Sequence, residues 1–329
     1  MKKYIFYTLL LAVFASVTFT GCKYEEEECD CSGTEPEAYE TLTTYLKSID
    51  MDINHVLSNA AGQKFVMAAP VDGDLSSKWI MDIRGADDFA AAHIEGANNV
   101  AFGDILTAAE SADKPILVVC YTGQTACYAT SLLRLYGYED TQALKWGMSG
   151  WNTNFDKWTP NCKTLDDANN WTNSETTAGS FDAPAWTSTS TNGADILAER
   201  VEEVVAAGFK TAKGADVLAS TGDYYVNNYF SAEHYTGFGH VDGAVRINPL
   251  LIDDCSKLDP DGKVVTYCYT GQTSAVITAY LNVLGFDAYS LLFGMNGLSH
   301  SNSFWDAGGV TNHWGYDSNP KDLPTVSSN

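Results

Sequence analysis

Positive charge is scarce in this 329-residue sequence, which has 19 Lys and Arg against 42 Asp and Glu and a formal net charge of −23 at pH 7. Nucleic acid and anionic lipid headgroups are themselves negatively charged, so such a surface repels both. The composition therefore predicts no nucleic-acid partner. It also predicts that a free dianionic substrate is repelled.

Cysteine is sparse as well, since eight residues in 329 are too few for a disulfide scaffold. The sequence has no Gly-x-Ser-x-Gly, no phosphate-binding Gly-x-x-x-x-Gly-Lys and no zinc-type ligand spacing. Cys29-Asp30-Cys31 has no second cysteine pair to complete a metal site. The sequence therefore predicts no metal site.

The N-terminal apolar stretch, residues 4–17, is shorter than the roughly 20 residues that a membrane helix needs. It follows Lys2 and Lys3, which is the order of an export signal. Phe19-Thr20-Gly21-Cys22 resembles a bacterial lipobox, and the acidic residues that follow Lys23 resemble the export tag of Bacteroidetes surface lipoproteins. The resemblance implies lipidation of Cys22 and an outer-membrane lipoprotein, periplasmic or surface-exposed, that meets the membrane through its lipid alone. The alternative is a secreted soluble protein.

One hexapeptide, Cys-Tyr-Thr-Gly-Gln-Thr, occurs at 120–125 and again at 268–273. The segments 93–97 and 147–150 also have counterparts, at 240–244 and 294–297. Offsets this constant indicate a duplicated domain. Each copy is long enough to bury its own core, so we expect two independent cores.

Composition sets the expected boundaries along the chain. The predicted segments are a signal peptide (1–21), an acidic tether (22–37), a first domain (38–165), a linker (166–192), a second domain (193–320) and a tail (321–329). Apolar runs at 79–83, 116–119 and 264–267 predict buried strands, and helical periodicity follows at 125–136 and 273–284. This alternation predicts two α/β domains, each with a mainly parallel sheet flanked by helices. The chain after Trp314 is expected to be loosely ordered.

The repeated cysteine comes at the end of a strand and directly before a helix. Backbone N–H groups converge at such a position and favour an anion, which predicts a lowered thiol pKa and a nucleophilic thiolate. Gly123 and Gly271 allow a tight turn, and Thr125 and Thr273 supply a hydroxyl and cap the helix.

These features resemble the rhodanese superfamily, whose loop reads Cys-x-x-Gly-x-Thr or Cys-x-x-Gly-x-Arg. Asp82-Ile83-Arg84, the run 86–89 and the run 93–97 resemble upstream elements of the same family. The resemblance implies tandem rhodanese-like domains and sulfur transfer through a cysteine persulfide, with no metal or organic cofactor. The implied donor is thiosulfate, mercaptopyruvate or a low-molecular-weight persulfide, and the acceptor is a thiol, cyanide or sulfite.

The resemblance also implies the site residues. The catalytic candidates are Cys120 and Cys268. The candidates for substrate binding are Tyr121, Thr122, Gly123, Gln124, Thr125, Tyr269, Thr270, Gly271, Gln272, Thr273, Asp82 and Arg84. Thiosulfate-using relatives carry basic residues at the loop positions held by Tyr and Thr, so we expect weak thiosulfate binding.

Several alternatives remain open from the sequence. The second copy has Asn228-Tyr229-Phe230 in place of Asp-x-Arg, which favours Cys120, whereas tandem sulfurtransferases usually work through the C-terminal cysteine. A non-catalytic binding module at the cell envelope is the alternative to an enzyme. Cys127 is either a resolving thiol or a small buried side chain, and His93 and His240 are interpreted as structural.

Overall fold

The computed structural model describes residues 38–166 and 170–328, which belong to one compact unit. The predicted signal peptide, the tether and the cysteines at 22, 29 and 31 lie outside the described residues. Among the described residues, no helix combines the length and the apolar character needed to cross a bilayer.

The first half of the described chain forms one parallel sheet. Its strands are β1 (Val66–Met67), β2 (Trp79–Asp82), β3 (Ala97–Asn99), β4 (Ile116–Val119) and β5 (Gln142–Leu144). Its helices are α1 (Ala38–Ser48), α2 (Ile53–Leu57), α3 (Ala86–Ala91), α4 (Ile105–Ala109), α5 (Gln124–Leu135) and α6 (Gly147–Trp151). The strand order is β1-β5-β4-β2-β3, and every pair is parallel.

The second half repeats this arrangement. Its strands, with one from the connecting segment, are β6 (Trp171–Thr172), β7 (Thr211–Ala212), β8 (Tyr225–Asn228), β9 (His240–Val241), β10 (Val245–Arg246), β11 (Val264–Tyr267) and β12 (Ala288–Leu291). Its helices are α7 (Gly193–Ala207), α8 (Gly214–Ala219), α9 (Ala232–Phe238), α10 (Gln272–Val283), α11 (Gly294–Leu298) and α12 (Phe304–Ala307). The order β7-β12-β11-β8-β10 is again all parallel and matches the first sheet strand for strand.

Short 3-10 helices connect these elements. They are Phe102–Asp104, Thr153–Phe155, Thr159–Asn161, Thr221–Asp223 and Ile252–Lys257.

The predicted α/β class and tandem arrangement are confirmed, and β4 and β11 have the predicted bounds. Both strands are buried along their whole length, as expected for central strands covered on both faces. Strand β2 ends one residue earlier than predicted, at Asp82. Its carboxylate accepts the Arg84 N–H at 3.0 Å and turns the chain out of the sheet.

The expectation of two independent cores is wrong. One apolar cluster contains buried residues of both halves, because α5 and α10, the helices that follow the two cysteine loops, pack against each other. Polar contacts reinforce this seam: Ser131 Oγ donates to Val276 O at 3.1 Å, and Asn282 Nδ2 donates to Tyr128 Oη at 3.1 Å. Each half keeps a second cluster of its own on the opposite face of its sheet.

The connecting segment and the tail are both attached to the domains. Strand β6 pairs antiparallel with β9, and Trp186 Nε1 donates to Leu284 O at 3.1 Å. The prediction of a loose tail is wrong, because Val326 exchanges backbone hydrogen bonds of 2.9 Å with His93, and Trp151 Nε1 donates to Pro324 O at 2.8 Å. The end of the chain thus returns to the first half. The predicted domain boundaries stay a prediction.

Candidate active site

The two cysteine loops connect the central strand of each sheet to the helix that follows. Cys120 directly follows β4 and precedes α5, and Cys268 directly follows β11 and precedes α10. The turn requires Gly123 and Gly271 at positive φ, +81° and +74°, which L side chains rarely adopt. These glycines are also the N-cap residues and provide no side-chain cap. The predicted capping by Thr125 and Thr273 is therefore wrong, because the helices begin one residue earlier.

The Gly-Met-x-Gly repeat, residues 147–150 and 294–297, makes backbone hydrogen bonds to the two cysteine loops. Met148 N–H donates to Cys120 O and Met295 N–H donates to Cys268 O, both at 2.9 Å. A Cβ at Gly147 or Gly294 would lie 2.3 or 2.2 Å from those same carbonyl oxygens. The sequence showed this repeat but not its role, which depends on a contact between segments far apart in the chain.

Cys120 Sγ accepts two backbone hydrogen bonds, from Gly123 N–H at 3.2 Å and from Ala126 N–H at 3.3 Å. The residue is only 6% exposed. Burial raises the pKa of its thiol, and the negative charge of Asp82 adds to this, while the loop amides oppose it. The predicted lowering of the pKa is therefore wrong for Cys120, since burial outweighs the amides.

Cys268 is held by hydroxyl groups as well as by an amide. Its Sγ accepts Ser274 N–H at 3.4 Å, its thiol donates to Ser274 Oγ at 3.7 Å, and Thr270 Oγ1 lies at 4.0 Å. Ser274 Oγ lies 2.9 Å from Ser290 Oγ, which donates to the carbonyl of Gly271 at 3.4 Å. A chain of hydrogen bonds thus leads from the thiol back to the loop.

The corresponding positions of the first repeat are Ala126 and Ala143. Two buried alanines beside Cys120 therefore correspond to two buried serines beside Cys268.

Beside the first loop, Asp82 and Arg84 form a buried ion pair. Arg84 Nη2 lies 2.6 Å from Asp82 Oδ2, and their side chains are 1% and 0% exposed. Among the described residues, Arg84 Nη1 has no hydrogen-bond partner. The guanidinium lies 5.2 Å from the ring centroid of Tyr121, and Lys157 Nζ lies 5.4 Å from the same ring. Sequence reasoning missed Lys157, because it comes from a segment outside every motif.

Beside the second loop, an aromatic stack replaces this ion pair. Asn228 Oδ1 accepts Phe230 N–H at 3.0 Å, as Asp82 accepts Arg84 N–H. The Phe230 ring stacks on Tyr269 with centroids 4.3 Å apart and planes 7° apart. Tyr269 Oη also lies 2.5 Å from His234 Nδ1. The second loop therefore packs beside aromatic rings where the first packs beside an ion pair.

The two loops contact each other across the seam. Gln272 Nε2 donates to Thr122 O at 3.0 Å, and Gln124 Oε1 accepts Phe293 N–H at 2.7 Å. Gln124 Nε2 also donates to Thr122 Oγ1 at 3.1 Å. The structure therefore brings the predicted residues of both loops into one continuous region.

An aromatic cluster lies beside both loops. The rings of Trp146 and Trp158 are 4.7 Å apart, Trp158 and Phe293 5.1 Å, and Trp146 and Trp314 5.2 Å. Trp146 and Phe293 hold equivalent positions, each with positive φ directly before α6 or α11.

Other candidates lie outside the loops. Cys127 is fully buried in the shared core, and burial raises its pKa well above the usual thiol value, which fits the buried-side-chain interpretation. His93 Nδ1 lies 2.8 Å from Phe89 O, and His240 Nδ1 lies 3.0 Å from Tyr235 O, which fits the structural interpretation. Five cysteines are free among the described residues.

The model of the rhodanese-like domain matches residues 67–154 and 230–301, one segment around each cysteine loop. The thiosulfate sulfurtransferase GlpE of Pseudomonas fluorescens is 35% identical over 79 residues, which are 23% of this chain and 72% of that protein. GlpE of Shewanella oneidensis is 34% identical over 82 residues, 24% of this chain and 80% of that protein. The chain belongs to the rhodanese-like family, in tandem form.

Among solved structures, SseA of Escherichia coli, titled a 3-mercaptopyruvate sulfotransferase, is 16% identical with a TM-score of 0.27. The match covers 71% of this chain and 98% of that chain. The two GlpE relatives each match about the length of one domain.

Proposed function

We propose that this chain is a sulfurtransferase that carries sulfane sulfur as a persulfide on Cys120, on Cys268 or on both. The observation that carries the proposal is the pair of amide donors at 3.2 and 3.3 Å from Cys120 Sγ, at the carboxyl end of a central parallel strand. Backbone donors aimed at one sulfur stabilise negative charge there without reorganisation. The relatives named above, thiosulfate sulfurtransferases, support the same class of reaction.

The reaction proceeds in two displacement steps. The cysteine thiolate attacks the sulfane sulfur of the donor, an S–S bond forms, and the donor's bond to that sulfur breaks with its electron pair. The leaving group depends on the donor. It is sulfite from thiosulfate, a thiolate from a persulfide, and from mercaptopyruvate a carbanion equivalent that takes up a proton. An acceptor thiolate, cyanide or sulfite then attacks the outer sulfur and returns the cysteine thiolate.

The surroundings of Cys120 support a small anionic donor there. Lys157 lies over the Tyr121 ring and forms no ion pair among the described residues, so one positive charge stands beside the loop of a protein with a large negative net charge. Arg84 lies over the same ring, but its charge is paired with that of Asp82. Local positive charge offsets the general repulsion of an anion. Basic groups are thus supplied from outside the hexapeptide, which itself has none, and the residues of the two loops are proposed to contact the donor.

Burial supports one alternative, a non-catalytic rhodanese-like module that binds a ligand or partner. Cys120 and Cys268 are only 6% and 2% exposed, and burial raises the pKa of Cys120. A thiol that stays protonated and covered is a poor nucleophile.

The test is the intact mass of the reduced chain after incubation with thiosulfate, mercaptopyruvate or glutathione persulfide. We expect a gain of one sulfur atom that cyanide removes. Parallel Cys120→Ser and Cys268→Ser variants show which cysteine carries it, because the gain is lost in the variant of the working residue. If no donor adds sulfur while both thiols can still be alkylated, the enzyme proposal fails and the binding module replaces it.

We further propose that a lipid on Cys22 holds the chain at the outer membrane, on its periplasmic or outer face. The support is the lipobox-like run 19–22 in the sequence. Metabolic labelling with a palmitate analogue should mark the expressed protein and not Cys22→Ala. An unlabelled wild-type protein in the culture medium would instead indicate a secreted soluble form.

A further inference from the structure

The Thr122–Gly123 peptide unit in the first cysteine loop makes hydrogen bonds to both halves of the molecule. The N–H of Gly123 donates to Cys120 Sγ at 3.2 Å. The carbonyl of the same peptide unit, Thr122 O, accepts from Gln272 Nε2 at 3.0 Å. The group that holds the sulfur is therefore itself held by a side chain of the other half.

The side chain of Gln272 is fixed in this position. It is the first residue of α10 and is 3% exposed. A Cβ at Gly123 would lie 2.5 Å from Gln272 Nε2. Gly123 therefore leaves free the space that this amide occupies.

We propose that Gln272, which belongs by sequence to the second cysteine loop, is a positioning residue for Cys120 of the first. A donor on the carbonyl polarises the Thr122–Gly123 peptide, strengthens its N–H as a donor and fixes its plane toward Cys120 Sγ. The inference deepens the proposed function, since it rests on an anionic sulfur at Cys120. A residue of the second half thus stabilises the thiolate of Cys120 in the first half.

The opposite contact does not mirror this one. Gln124 Oε1 accepts from the N–H of Phe293, which precedes α11, whereas Gln272 donates to the peptide unit that holds Cys120 Sγ. Of the two glutamine contacts across the seam, only that of Gln272 reaches a peptide unit that donates to a cysteine sulfur.

The test is the pH dependence of iodoacetamide alkylation at Cys120, followed by site-resolved mass spectrometry on the full chain in a Cys268→Ser background. Gln272→Met removes the donor and keeps the length of the side chain. We expect its profile to shift to higher pH, with a rate about three- to tenfold lower at a fixed pH below the thiol pKa, as expected for the loss of one hydrogen bond. Gln272→Glu keeps the shape but has only acceptors and a negative charge when ionised, so we expect a larger shift in the same direction.

Ser131→Ala is the matched control, because it removes another buried side-chain donor to a carbonyl across the same seam, Val276 O, away from the loops. We expect its Cys120 profile to match that of the parent. The proposal is overturned if both Gln272 variants keep the parent profile, or if Ser131→Ala shifts it equally, which would indicate general loosening of the seam. Alkylation needs no sulfur donor, so a chain that forms no persulfide still gives a clear result here.

Discussion

The two cysteine sites have identical hexapeptides and the same positive-φ glycine turn, yet their surroundings differ. Cys120 lies beside a buried ion pair and two alanines, whereas Cys268 lies beside an aromatic stack and two serines. The hexapeptide sets the geometry of the loop. Residues from other segments set its charge and its hydrogen bonding, so the motif alone does not say which thiol reacts.

What the two sites share is the glycine beneath the cysteine carbonyl, and replacing it should give the largest effect. In Gly147→Ala and Gly294→Ala the new Cβ would lie 2.3 and 2.2 Å from a backbone oxygen, at positive φ. We expect each variant to lower the free energy of unfolding by about 4 kcal/mol, as overpacking and backbone strain add. Urea denaturation measures this.

Gly96→Ala and Gly243→Ala are the matched controls, since both glycines have φ of +79° and open space around the position of the Cβ. They should lose only about 1–2 kcal/mol, the cost of the left-handed backbone. Equal losses at 147 and at 96 would mean that the contact with the cysteine carbonyl is unimportant.

The ion pair is the sharpest difference between the sites. Asp82→Ala leaves Arg84 buried without its partner, so we expect a loss of about 3–5 kcal/mol in the free energy of unfolding. Asn228→Ala, the equivalent change in the second half, removes one hydrogen bond to a backbone amide and should cost about 1 kcal/mol.

A double variant, Asp82→Asn with Arg84→Phe, copies the second site into the first. It should recover most of the stability lost in Asp82→Ala, because no unpaired charge remains. If the double variant is as unstable as the single one, the aromatic arrangement depends on more of the second half than these two residues.

The serine pair should give the smallest effect. Ser274→Ala breaks the hydrogen bond to Ser290 and removes the hydroxyl beside Cys268, so we expect a loss of about 1 kcal/mol in the free energy of unfolding. The alkylation rate of Cys268 should also fall about threefold to tenfold, because the hydroxyl that accepts from the thiol is no longer present to turn and donate to the thiolate once the proton has left. Site-resolved alkylation of Ser274→Ala, with Ser131→Ala as control, measures the second effect. An unchanged Cys268 rate would show that the hydroxyls only fill space.

Much of the fold was predictable because its signals are local. The apolar runs at 116–119 and 264–267 give β4 and β11 directly, and the helical periodicity after each cysteine loop gives α5 and α10 to within one residue. The tandem architecture followed from the repeat, since duplicated sequence folds into duplicated structure.

The rest depends on contacts between distant segments. The sequence assigns Gln272 to the second cysteine loop and gives no sign of a contact with the first. The packing of α10 on α5 brings its amide to Thr122. Burial, which raises the Cys120 pKa, is likewise a property of the assembled core. The tail has too few apolar residues to predict order, yet its backbone pairs with His93.

The tryptophan cluster beside the loops provides an intrinsic spectroscopic signal of loop position. Trp146 and Trp158 meet edge to face, while Trp158 and Trp314 lie 5.7 Å apart and 29° from parallel. Aromatic side chains in fixed tertiary packing give near-ultraviolet circular dichroism, which is lost when that packing is lost. The backbone of Trp146 adjoins Gly123, and Phe293, which packs on Trp158, is bonded to Gln124. A molecule that displaces either loop should therefore change this spectrum and the tryptophan emission without any added label.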